Sequence, residues 1–320
     1  MIERINILGA DGRVDRDRWL ALRKSDVTAS AVGALFGVHP FTTAAQLYHE
    51  KCGLEFDQTT NVRMRRGLRL ERAVAEEVAE KRPDWKISAP GLYLRDPDAR
   101  LGATPDFIIE GDPRGVGILQ TKTATLKAFK KGWMQGDEVA PPFWIALQTL
   151  TEAMLWGADF AVAAVYIDDP WNDDCHICEV ARHPAAEARI RDAVAKFWMD
   201  VEFGVEPAVD YARDGELIAA LSPDELPAKT IDLTGDNMLP VILAERAKLK
   251  DDVDAAQKRL IEIDNEIRAK MGDAAVAHLP GWTITLKRQE RRAFTVPASS
   301  FRRLNVTDTR EQEESADAPY

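Results

Sequence analysis

Two short stretches carry residue types suited to phosphodiester chemistry. Thr104-Pro105-Asp106 is followed, after thirteen residues, by Gln120-Thr121-Lys122. Each lies at the end of an apolar run that reads as a strand, so polar side chains are expected to gather where two neighbouring strands end. Asp106 is a carboxylate able to ligate a divalent cation. Mg2+ prefers oxygen ligands and keeps waters in its shell, one of which can serve as a nucleophile. Gln120 and Lys122 are separated by one residue, so on a strand both project from the same face. Lys122 can then orient or deprotonate the water and stabilise charge developing on a phosphate, with the main-chain carbonyl of Thr121 as a further metal ligand. The bland alternative is a Pro-Asp turn and a Gln-x-Lys surface strand that coexist by chance.

The elements around these stretches are legible from periodicity. Trp19–Lys24 reads as a short helix, followed by a turn and a second helix through Phe36 capped by Asp26 or Thr28. Thr42–Cys52 is a further helix that Gly53 stops, and Val62–Glu80 is a long amphipathic helix whose first half is basic. Trp85–Leu94, Leu101–Ile109 and Gly115–Thr123 read as three strands of a meander. Pro142 precedes a buried helix over 143–156; Ala161–Ile167 is an interior strand, Cys175–Val180 another, and Ala185–Gly204 a helix. This is an α/β core, a mixed central sheet flanked by helices. Residues 1–205 form it, 206–235 read as a proline-containing linker or crossover, and 236–320 as a helical extension. In that extension Leu249, Val253, Ala256, Leu260, Ile263 and Ile267 recur at steps of four and three, the seam of a coiled coil or helical hairpin. Trp282–Arg288 reads as a strand, and Glu311–Tyr320 as a frayed acidic end.

Composition narrows the function classes. The 320 residues carry 45% hydrophobic and 30% charged residues, the balance of a folded protein, in two units because single cores stop growing beyond roughly 250–300 residues. No stretch approaches the roughly 20 apolar residues of a bilayer span, and no apolar leader opens the chain, which reads as cytoplasmic. Cys52, Cys175 and Cys178 are too few for a disulfide framework. Cys175 and Cys178 form a single CxxC without a second ligand pair, so two strand thiols are expected rather than zinc. A net charge of −11 argues against indiscriminate polyanion binding. Local basic clusters remain at Arg63, Arg65, Arg66, Arg69 and Arg72, at Lys127, Lys130 and Lys131, and at Arg288, Arg291, Arg292, Arg302 and Arg303.

Over most of residues 18–205 the chain resembles the YqaJ-type viral recombinase, or phage lambda exonuclease, family of PD-(D/E)XK nucleases. Arg23-Lys24-Ser25-Asp26-Val27-Thr28-Ala29-Ser30 resembles its entry motif, Arg66-Gly67-Leu68-Arg69-Leu70-Glu71 its R/W-G-x-x-x-E helix, and Gly102–Asp106 its G-x-x-P/L-D strand. Gly117-Ile118-Leu119-Gln120-Thr121-Lys122-Thr123 resembles its G-x-x-E-x-K-T/C strand, with Gln120 where the usual residue is Glu, and Gln148 matches a helical Gln beside the active site. The tail, Met271–Ala274 and then Trp282–Lys287, is also similar to YqaJ-type proteins.

The resemblance implies a restriction-endonuclease-like core, with Asp106, Gln120, Lys122 and Glu71 as catalytic residues and Asp106, Gln120, Thr121 and Glu71 around Mg2+, for which Mn2+ can substitute. It implies Arg23, Ser30 and Gln148 as phosphate contacts. It further implies an exonuclease acting on double-stranded DNA ends from 5′ to 3′ to leave 3′ single strands, an oligomeric ring, a single-strand annealing partner, and a phage or prophage origin in a bacterial host. A neutral amide at 120 can still ligate Mg2+ but brings no charge, so metal affinity is expected to fall. Two rivals stand beside this reading: a DNA-end-binding protein of the same fold without turnover, and an assembly protein oligomerising through residues 241–272.

Overall fold

Residues 115–124 and 160–167 alternate between two apolar layers, the pattern of a sheet covered on both faces. The computed structural model describes residues 1–55, 62–169, 174–290, 293, 298 and 301–306, and the chain divides into two compact units, Met1–Leu221 and Ser222–Tyr320. The side chain of Arg63, together with Arg291, Arg292 and the expected frayed end Glu311–Tyr320, lies outside the described residues.

The first unit opens with strand β1 (Glu3–Asn6), helix α1 (Arg16–Ser25), strand β2 (Val27–Thr28), a 3-10 turn (Ala29–Ala31) and helices α2 (Val32–Leu35), α3 (Ala44–Lys51) and α4 (Val62–Lys81). Strands β3 (Lys86–Ser88), β4 (Leu92–Asp96), β5 (Leu101–Ala103), β6 (Phe107–Asp112) and β7 (Gly115–Ala124) follow. Helix α5 (Leu126–Gly132), a small hairpin of β8 (Met134–Gln135) and β9 (Glu138–Val139), α6 (Phe143–Trp156), β10 (Phe160–Ile167), β11 (Asp174–Val180), α7 (Pro184–Phe203) and α8 (Gly215–Leu221) complete it.

The central sheet has the order β11-β10-β7-β6-β3; β7 and β10 run parallel and the other pairs antiparallel, so the expected mixed sheet flanked by helices is present. Ile118, Ala161, Ala163 and Val165 share one core with Ile145, Leu150 and Met154 of α6 and Ile190 and Val194 of α7. Ile109, Leu119, Val162 and Ala164 share another with Val74, Ala75 and Val78 of α4. Neighbours along a strand therefore belong to different layers. Cys175 joins the α4 layer and Cys178 the α6 layer, on opposite faces of β11, and burial raises both thiol pKa values, that of Cys175 to about 11.

Two expected strands are each cut in half. The Trp85–Leu94 run breaks at Pro90-Gly91, where Gly91 has φ 62°, into β3 and β4; the Leu101–Ile109 run breaks at Thr104-Pro105-Asp106 into β5 and β6. Proline donates no ladder hydrogen bond. The halves join different sheets, since β4 and β5 pair in a second sheet of order β1-β4-β5-β2. Asp26 does not cap the following helix. It ends α1 with its side chain wholly buried, accepting bonds from Tyr93 Oη at 3.0 Å and Arg95 Nε at 3.0 Å. Part of the expected linker also folds onto the first unit: Leu217 is buried, and Asp214 accepts from Thr43 Oγ1 at 2.6 Å.

In the second unit, α9 (Leu239–Met271) is one continuous helix rather than a helical hairpin, stopped at Gly272. Leu249, Val253, Leu260 and Ile263 along it are exposed. A β-hairpin of β12 (Val276–Leu279) and β13 (Trp282–Thr285) follows, of which only the second strand was expected. Among the described residues no helix is long and apolar enough to cross a membrane.

Gly102 owes its identity to packing. A Cβ there would stand 1.9 Å from the Tyr93 hydroxyl, which is held in place by Asp26. Gly102→Ala is expected to lower stability by about 1–3 kcal/mol through overpacking, read as a shift in the urea unfolding midpoint; an unchanged midpoint would rule this packing out.

Candidate active site

Because β6 and β7 pair with Phe107 opposite Leu119, Asp106 stands beside Gln120 at the end of the ladder. Its Oδ2 accepts three bonds: from the main-chain N–H of Thr121 at 2.9 Å, from Thr121 Oγ1 at 2.9 Å and from Gln120 Nε2 at 2.5 Å. Gln120 Nε2 also lies 3.3 Å from the carbonyl oxygen of Thr121. The amide nitrogen thus faces two oxygens, one carboxylate and one main-chain, that suit a cation.

Burial pushes the Asp106 pKa up, opposed by Lys122 and by the Thr121 bonds. Glu71, on α4, is pushed up to about 7, first by burial and then by the negative charge of Asp106, with Lys122 acting against both. Asp106, Glu71 and Lys122 therefore share one electrostatic neighbourhood, fed from both sides of β7. Like charges near one another in a partly buried site hold their pKa values up until a cation arrives. Lys122 extends toward the indole of Trp144, its Nζ 5.8 Å from the ring centroid.

The remaining residues singled out in the sequence fall into two groups. Gln148, buried on α6, donates from Nε2 to Gln120 Oε1 at 2.8 Å. Arg23 donates to Ser30 Oγ at 3.2 Å, and Ser30 Oγ is 3.1 Å from Thr28 Oγ1. The Arg23 guanidinium stacks on Trp19, 4.5 Å from its ring centroid, and Trp19 Nε1 donates to Thr104 Oγ1 at 3.0 Å. That bond links the Arg23 and Ser30 pair to the turn carrying Asp106. Gln120 is 1% exposed, so the surface-strand alternative for Gln-x-Lys does not describe it.

On α4, Arg66 pairs with Asp168 and Arg72 with Glu76. Sequence reasoning passed over Glu152, which is 1% exposed on α6 and accepts from Gln148 Nε2 at 2.9 Å. A single charged residue within the helical run Ile145–Leu155 was the signal that could have found it.

Among the described residues no three His, Cys, Asp or Glu side chains converge as a ready cage. The available oxygen donors are the carboxylates of Asp106 and Glu71 and the Thr121 carbonyl, while the Gln120 amide turns its nitrogen to the site and its oxygen to Gln148. A sparse oxygen set of this kind fits a hard cation that retains several waters.

Residues 18–158 match the YqaJ-like viral recombinase domain. The YqaJ-like segment therefore spans the Arg23 and Ser30 pair, Glu71, Asp106, Gln120, Lys122, Gln148 and Glu152. The chain is 25% identical over 281 residues, 85% of this chain and 83% of the other, to the uncharacterised protein YqaJ of Bacillus subtilis (strain 168). Among solved structures, an alkaline exonuclease (LHK-Exo) from Laribacter hongkongensis is similar at 22% identity and a TM-score of 0.46, over 64% of this chain and 100% of that one, as is its complex with dAMP.

His39, which packs edge-on against Trp144, offers a test of the site's electrostatics. Its Nδ1 accepts from the N–H groups of Phe41 and Thr42, at 3.3 and 2.9 Å, so the ring must stay neutral; burial, Arg213 and Lys122 lower its pKa from 6.5 to about 4. The folded state binds fewer protons than the unfolded state between these values, so this contribution is complete above pH 6.5 and is lost as pH falls toward 4. His39→Asn, which keeps an acceptor, is expected to flatten the fall in unfolding free energy over that window relative to wild type. Equal slopes in urea titrations at pH 4, 5 and 6.5 would count against it.

Proposed function

We propose that the YqaJ-like domain is a divalent-cation-dependent DNA exonuclease of the PD-(D/E)XK type, working with Mg2+ or Mn2+. The observation that carries this reading is the Asp106 turn. One carboxylate is anchored by the main-chain N–H and hydroxyl of Thr121, beside Gln120, with the charges of Glu71 and Lys122 acting on it. The match to a viral recombinase domain supports DNA as the substrate.

In this reading Asp106, Glu71 and the Thr121 carbonyl hold the cation, and Gln120 joins them once its amide turns its oxygen, now on Gln148, to the site. When bound, it lowers the pKa of a water and neutralises phosphate charge. Lys122 orients the attacking water and stabilises charge developing on the phosphate. Arg23 and Ser30 grip a backbone or terminal 5′ phosphate, held to the Asp106 turn through Trp19 and Thr104. Gln148 fixes the Gln120 side chain from α6. Degradation from a 5′ end, a ring-shaped oligomer around duplex DNA and an annealing protein receiving the 3′ strand belong to the same proposal. So does the two-part division into a nuclease core and a C-terminal extension.

The test is digestion of a linear duplex labelled at one 5′ end, with Mg2+ or Mn2+ and with chelator. Cation-dependent release of label is expected, and Lys122→Ala should slow it about 10²–10³-fold, the scale for removing one transition-state electrostatic contact. Arg23→Ala should reduce the preference for a 5′-phosphate over a 5′-hydroxyl end. Binding of duplex ends without release under either cation would leave the non-catalytic end-binding protein as the function.

A further inference from the structure

We propose that helix α9 joins a second copy of this chain in a parallel, in-register, two-stranded coiled coil. The proposal stands apart from the cation site and from the ring-shaped oligomer proposed above.

Helix α9 (Leu239–Met271) is a single span of about 50 Å, at about 1.5 Å per residue. Because it is continuous, no second arm of a hairpin folds back along it, and every residue from Ala247 to Glu266 is exposed. Leu249, Val253, Leu260 and Ile263 lie on one stripe of it and are 55%, 60%, 61% and 36% exposed. A helix with an apolar stripe draws most of its stability from covering that stripe. The steps of four and three between these residues make the stripe follow the slow left-handed turn of a coiled coil, so a partner of the same period covers it from end to end. A second copy has that period by construction.

The charges flanking the stripe decide its direction. With Val253, Leu260 and Ile267 at the a positions of the heptad and Leu249, Ala256 and Ile263 at d, the g positions are Glu245, Asp252, Arg259 and Glu266. The e positions are Lys250, Gln257, Asp264 and Met271. In a parallel pair each g residue faces the e residue of the next heptad on the second helix. Glu245 then meets Lys250 and Arg259 meets Asp264 on both flanks, while Asp252 meets neutral Gln257 and Glu266 meets Met271. No like charges oppose one another across these flanks. Arg246, at the preceding a position, stands beside Glu245 of the second copy. The antiparallel alignment that keeps the stripe in contact sets Asp252 against Glu266, Arg259 against Arg259 of the second copy and Arg246 against Lys270. Lys250 with Asp264 is its only attraction. In the single chain Arg259 pairs with Glu262 at 3.0 Å, an exposed contact on its own helix that is weak enough to yield. β-Branched Val253 and Ile267 at a, with Arg246 charged there, suit two strands rather than more.

The experiment follows association of the full chain. In sedimentation, Leu260→Asp, which puts a charge in the middle of the stripe, should run at half the mass of wild type, whatever oligomer the first unit forms. Direction is read from disulfide capture by diamide in a Cys52→Ser background, since Cys52 is the exposed native thiol. Ile263→Cys, which faces its own copy only in the parallel register, should link into pairs, and Lys258→Cys, on the outer face, should not. Adding Lys250→Glu to Ile263→Cys should raise the protein concentration needed for half-linking about tenfold, because attraction on both flanks becomes repulsion. Adding Glu245→Lys as well should restore it. Equal masses for wild type and Leu260→Asp, equal linking at positions 263 and 258, or rescue by Asp264→Lys instead of Glu245→Lys overturns the proposal. None of these readouts involves DNA or a cation, so a failure of the nuclease reading leaves them unchanged.

Discussion

A single oxygen, Oδ2 of Asp106, ties together the parts of this protein that bear on chemistry. Three donors converge on it, two from Thr121 and one from Gln120, and they join the start of β6 to the middle of β7. The antiparallel register that puts Phe107 across from Leu119 makes this possible, and the layers on either side of β7 make it specific. Glu71 approaches from the α4 layer and Gln148 from the α6 layer. Shifting the register by one residue would exchange the faces of Gln120 and Thr121 and dissolve the arrangement.

The turn that carries Asp106 is also the seam between the two sheets. Pro105 gives no N–H to either ladder, so the chain leaves β5 and enters β6 there, and Thr104 remains free to accept from Trp19. Residues contributed by the small sheet, Arg23 and Ser30 beside β2, are in this way held to the same few atoms as the residues of the large one. Buried Asp26, with Tyr93 and Arg95, fixes the small sheet from within, and Gly102 leaves room for the Tyr93 ring.

Much of this was legible in the sequence. The long helices α4, α6 and α7 announce themselves through apolar spacing, and Asp106, Gln120 and Lys122 through polar residues at strand ends. What periodicity could not convey was membership of a sheet: β3 and β4, or β5 and β6, alternate as one strand would, and only Pro90-Gly91 and Pro105 mark the crossings. Short strands such as β1 and β12 carry too few residues for a pattern. Asp26 looked like a helix cap because its type suits one, whereas its bonds go to residues far along the chain. Glu152 was hidden for the opposite reason, an acid in a helix whose apolar character drew the eye.

The parallel pairing of β7 with β10 has a consequence for how the protein reaches its native state. The β6–β7 hairpin closes over a short loop, so the contact of Asp106 with Thr121 costs little chain entropy. Gln148 meets Gln120 only after the chain has travelled through α5, a small hairpin and α6, with β10 docking alongside β7. Non-local pairing of this kind is slow. The contact of Asp106 with Thr121 therefore closes a shorter loop, at lower chain-entropy cost, than that of Gln120 with Gln148.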